Sequence, residues 1–188
     1  MRNVQTPPDA ALALPDGLAR NALRQAMRVL DEAETRAGPA EMAQAQAVVG
    51  HAYRALAALP AAAAHLAQAL RWARLTGSID LVVDLQCELC DLRVCEAALR
   101  DEEQPGSGRL AWESARDHAF EASTLAHRVA DSQWEVTVLL RVSDLLDRCG
   151  DHDDATQLQV RALRLIAGDP TADARLDSAA ASTSTLRQ

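Results

Sequence analysis

Apolar side chains recur every three or four positions along most of this chain, which is the spacing of one helical face. Leu18, Ala22, Leu23, Ala26, Met27, Leu30 and Ala33 trace the first such face, and Gly38-Pro39 ends it. The same spacing predicts further helices over about Ala40 to Ala58, Ala61 to Thr76, Ile79 to Arg100, Leu110 to Ala130, Ser132 to Cys149, and from Gly150-Asp151 to Gly168. Pro60, Gly77-Ser78, Asp131-Ser132 and Gly150-Asp151 supply stops and caps between them. Seven helices joined by short turns must lie antiparallel to their neighbours. Asp101 to Gly108 holds three acids, Pro105 and two glycines, so an exposed loop with no apolar face to bury is expected there. Residues 1–15, with Pro7, Pro8 and Pro15, read as a flexible N-terminal arm. Residues 171–188, rich in Ala, Ser and Thr, read as a disordered tail or linker, leaving 16–170 as the helical domain.

The fourth helix breaks the one-faced pattern. Val82, Leu85, Leu89 and Leu92 form one apolar stripe, and Val83, Cys87, Cys90 and Val94 form a second nearly opposite. A helix with two apolar faces is either covered on both or binds something with the second.

Composition narrows the means of packing. Hydrophobic residues make up 48% of the chain and aromatics only 3%, so small aliphatic side chains, alanine above all, must fill the interior. That favours close helix-on-helix contact over a sheet core. A net charge of −8 argues against nucleic acid and against acidic membrane surfaces, because both need clustered Lys and Arg. No stretch approaches the roughly 20 apolar residues that span a bilayer, and no signal-peptide pattern opens the chain, so a cytoplasmic location is expected. Cys87, Cys90, Cys95 and Cys149 then read as free thiols in a reducing compartment.

The helix pairs repeat. Val49-Gly50, Tyr53, Ala62, Leu66 and Ala69 resemble the tetratricopeptide pattern, with a small and a large residue on helix A and two alanines seven apart on helix B. Val142-Ser143, Leu146, Gly150, Ala155 and Ala162 reproduce that spacing. Gly50 and Ser143 would let helix B approach, Tyr53 and Leu146 would fill the gap, and the alanines would admit the next helix. Aligning Ser78 with Ser132, Leu85 with Leu139 and Leu92 with Leu146 gives a middle pair in which Leu89 stands at the small position. The resemblance covers about residues 40 to 168, with the first helix as a cap, and implies an all-α solenoid of helix pairs in a right-handed superhelix. Periods of about 40 residues are similar to the longer repeats of bacterial signalling regulators, where such arrays precede an output domain.

In the tetratricopeptide register the second stripe of the fourth helix falls on the concave surface. The resemblance therefore implies a partner-binding groove of His51, Arg54, Val83, Cys87, Cys90, Val94, Leu140, Arg141 and Asp144, suited to an extended peptide or an amphipathic helix. The same register places Gln44, Val48, Thr137 and Asp147 in that groove as well. Asp80, Asp84, Glu88 and Asp91 share one face of the fourth helix and read as a solvated ridge.

Chemistry-bearing motifs are scarce: there is no Gly-rich phosphate loop, nucleophile elbow or His-Glu-x-x-His. Cys87, Cys90 and His51 could be imagined around zinc, but one helical thiol pair is a weak signal, and buried cysteine behaves as a small hydrophobe. The acids from Asp151 to Asp154 suit a helix start better than a metal site. His65, His118, His127 and the three tryptophans read as surface or packing residues. The expectation is a non-enzymatic adaptor or scaffold for a protein or peptide, without cofactor or metal, with a homodimer as one arrangement open to it. It could serve as the input module of a signalling protein. A small-ligand sensor using the same groove and a secretion-type chaperone are the alternatives.

Overall fold

In the computed structural model of the chain, residues 16–129 and 131–168 are described, and the expected arm, the expected tail and Ala130 lie outside them. The described residues form seven helices and no strand: α1 (Asp16–Arg36), α2 (Pro39–Ala55), α3 (Leu59–Thr76), α4 (Ile79–Glu103), α5 (Arg109–Ala126), α6 (Ser132–Arg148) and α7 (His152–Ile166). Pro39 and Pro60 stand in the first turns of α2 and α3, where a missing N–H costs nothing. Asp131 caps α6, its carboxylate accepting the amides of Gln133 and Trp134 at 3.0 Å each. Gly77, at φ 73°, ends α3 in the left-handed conformation that glycine adopts without strain. Ala57 takes a similar conformation at φ 55° and ends α2 earlier than the apolar pattern suggests.

The chain forms two compact units that meet in sequence at Ser78 and Ile79. In the first, α1 packs on α2 and α2 on α3. Ala26 and Leu30 of α1 meet Met42, Ala45, Val49 and Ala52 of α2, with Tyr53 and Trp72 against the cluster. In the second, α4 pairs with α5 and α6 with α7, and α6 also packs on α4 and α5.

Burial recurs in register across the first helices of the three pairs. Met42, Ala45, Gln46, Val49, Gly50 and Ala52 are buried on α2. Val82, Leu85, Gln86, Leu89, Cys90 and Leu92 are buried at the same relative spacing on α4, and Glu135, Val138, Leu139, Val142, Ser143 and Leu145 on α6. Ala62 and Ala69 on α3 correspond likewise to Ala115 and Ala122 on α5 and to Ala155 and Ala162 on α7, all six buried.

This register places Cys90, not Leu89, at the small position shared with Gly50 and Ser143. The alignment through Ser132 and Leu139 runs one residue out of step, because leucine and cysteine alternate on α4 in a way that fits either reading. At Gly50 the requirement for smallness is explicit: a Cβ there would lie 2.8 Å from Leu66 Cγ and 3.3 Å from the Ala62 carbonyl.

Polar ties recur as well. His65 Nδ1 lies 2.8 Å from Gln46 Oε1 in the first pair, with the Tyr53 and His65 rings stacked 5.3 Å apart. His118 Nδ1 lies 2.5 Å from Gln86 Oε1 in the second. The equivalent positions of the third pair are Leu139 and Leu158, both apolar. The third pair is held instead by Arg161 of α7 on Glu135 of α6 at 2.5 Å, with only 12% and 8% of those side chains exposed.

The segment from Asp101 to Gly108 is exposed from Glu102 to Ser107, as expected, but it is anchored at both ends. The α4 helix continues through Glu103. The Asp101 carboxylate then folds back, accepting the Gly108 amide and the Trp112 indole N–H at 2.8 Å each. Gly108 is buried so tightly that a Cβ would lie 2.4 Å from the Ala97 carbonyl. An acid inside the segment, rather than an apolar face, pins it.

Candidate partner-binding face

The expected groove residues separate into two groups. Val83, Cys87, Cys90 and Val94 are interior: none exceeds 4% exposure, and they pack with Ala115, Ala119 and Ala122 of α5 and Val138, Val142 and Leu146 of α6. The placement of these four on a concave binding surface is therefore corrected. α4 is buried on both faces because α5 covers one stripe with alanines small enough to let the helices approach. Burial pushes the Cys87 thiol up to about 11, as expected for a thiol among apolar neighbours.

Leu140, Arg141 and Asp144 are exposed on α6, Leu140 at 45%. His51 is exposed and Arg54 half-buried on α2, within the first unit. In the burial register His51 corresponds to Asp91 and Asp144, so it lies on the equivalent face of its own helix pair.

Around the exposed α6 residues stand ion-pair partners on α4. Arg141 reaches Asp84 of α4 at 3.4 Å, and Arg148 reaches Asp91 at 2.5 Å. The two acids are seven residues apart on α4, and the two arginines are seven apart on α6. That matched spacing was present in the sequence and is what two antiparallel-paired hairpins need for one helix to ladder onto another. The acidic ridge of α4 is thus partly neutralised across to α6, rather than only solvated. Partial burial still holds the Asp84 carboxyl above its usual range, against the pull of Arg141.

Further along the same face, His152 Nδ1 lies 2.5 Å from Asp147 Oδ1, a hydrogen bond that raises the imidazole above its ordinary value. The face therefore combines six acids, Asp80, Asp84, Glu88, Asp91, Asp144 and Asp147, with two arginines and one exposed leucine. Such a surface can take a segment that brings positive charge and one apolar side chain. Among the described residues no group of three or more His, Cys, Asp or Glu side chains is arranged to hold a metal ion. No described helix is long and apolar enough to cross a membrane. Neither models of known protein families nor curated proteins match this chain.

Proposed function

We propose that this chain is a non-enzymatic, tetratricopeptide-like adaptor that holds a protein or peptide segment on the exposed face of α4 and α6. The observation that carries the reading is the recurrence of buried positions through α2, α4 and α6. Helix pairs built to one packing rule act mostly as modular binding scaffolds, and their stacking into a right-handed superhelix belongs to the same reading. The face left over by that packing is where a partner can be received. Its acid excess selects a basic segment, and Leu140 offers the apolar contact.

The test changes this face and spares the core. A variant carrying Leu140→Asp and Asp91→Lys alters exposed or half-exposed groups whose ion pairing contributes little to stability. Partner recovered from cells of the protein's own source should fall at least about tenfold relative to the unmodified chain, with unchanged circular dichroism. Undiminished recovery would remove this face from the interface.

A further inference from the structure

Of the four cysteines, Cys90 and Cys149 come together from different helices. Cys90 lies in the middle of α4 and is fully buried, and Cys149 forms the C-cap of α6 at 8% exposure. Both belong to one core cluster, their chain neighbours Asp91 and Arg148 pair across the same two helices at 2.5 Å, and the two thiols interact with each other. The Cys149 carbonyl accepts from Arg116 Nη2 of α5 at 3.4 Å, so a guanidinium stands beside this cap, and Arg148 adjoins it in the chain. We propose that Cys149 and Cys90 form a dithiol site that a hydroperoxide converts to a disulfide, bridging α4 and α6 through the core. This is independent of the partner-binding reading.

The two thiols are not equivalent. The hydrogen bond from Cys90 favours the Cys149 thiolate, with further help from Arg116 and Arg148 against burial and Asp151. The same hydrogen bond and burial hold Cys90 in its protonated form. Cys149, nearer the surface, is therefore the attacking sulfur.

Its thiolate attacks one oxygen of the peroxide, the O–O bond breaks, and hydroxide leaves to become water, giving the Cys149 sulfenic acid. Cys90 then loses its proton and attacks that sulfur. The S–O bond breaks, and the departing hydroxide takes up the proton as a second water. Two thiols lose two electrons in all, and one hydrogen peroxide gains them. Cys87, one helical turn before Cys90 on the same helix, cannot bridge to it without strain.

The reduced full chain is treated under native conditions with hydrogen peroxide and digested with trypsin without reduction. Residues 75–93 hold Cys87 and Cys90, residues 94–100 hold Cys95, and residues 149–161 hold Cys149. The expected product joins 75–93 to 149–161 with the mass of two hydrogens lost, and dithiothreitol reverses it. The link should persist in Cys87→Ser and vanish in Cys90→Ala, where a dimedone-reactive sulfenic acid should accumulate at Cys149. Urea-unfolded protein, in contrast, should also yield links to 94–100. The proposal is overturned if native wild-type protein forms no such link, if it links equally through Cys95, or if the link survives Cys90→Ala.

Discussion

At single positions the packing demands opposite kinds of side chain, and each can be tested by exchange. Gly50 lies beneath Leu66, so Gly50→Ala must displace a fully buried leucine, and a loss of about 1–3 kcal/mol in urea unfolding is expected. Unchanged stability would mean that α2 and α3 can separate at little cost. Ala57 is the converse case, a side chain held at φ 55° where a Cβ is strained. There Ala57→Gly should raise stability by up to about 1 kcal/mol, the relief of strain exceeding the entropy of a freer unfolded chain. A lower melting temperature would contradict it. Cys90 is fully buried on the covered stripe, so Cys90→Asp should abolish cooperative helical unfolding, because an unpaired carboxylate cannot be solvated there. Retained helicity by circular dichroism would return the stripe to the surface.

At the level of elements, two polar devices hold what apolar contact alone does not. The hydrogen bond from Trp112, with the Gly108 amide, holds the Asp101 carboxyl below its ordinary value of 3.8. A carboxyl depressed in the folded state contributes stability that is present above 3.8 and is lost as pH falls through the lower folded-state value. Melts recorded across that acid range should therefore fall less steeply in Asp101→Asn than in the unmodified protein, and parallel acid limbs would refute the anchor. Between α6 and α7, Glu135→Ala strands Arg161 in the interior and should cost about 3–5 kcal/mol, whereas the double replacement Glu135→Leu with Arg161→Met should cost much less. Additive losses would show that the pair is not coupled. The helices themselves were legible from apolar spacing and turn residues, to within a few positions at their ends. What escaped was Asp101: an acid in a Pro- and Gly-rich stretch looks solvated, and nothing local in sequence marks the indole eleven residues later that it receives.

At the scale of the whole molecule, the recurrence of buried positions is legible in part because Gly50 and Ser143, and the alanine pairs after them, keep one spacing. The middle pair was read one residue out of step, since Leu89 and Cys90 are both apolar and only burial separates them. That slip carried Val83, Cys87, Cys90 and Val94 onto a surface, although α5 covers them. Leu140, Arg141 and Asp144 are exposed on α6, as that register expects, because α6 buries a single stripe. The salt-bridge ladder to α4 depends on which helices adjoin, which periodicity within one helix does not encode. The central claim, that the α4–α6 face receives a protein partner, is tested most directly by placing a photo-crosslinking amino acid at Leu140 and, as a control, at Phe120. Both positions are exposed, but Phe120 lies on α5 outside the proposed face. Illumination in cells of the natural source should yield a discrete adduct from position 140, competed by the recovered partner and absent from position 120. No adduct from position 140, or equal adducts from both positions, would contradict the account.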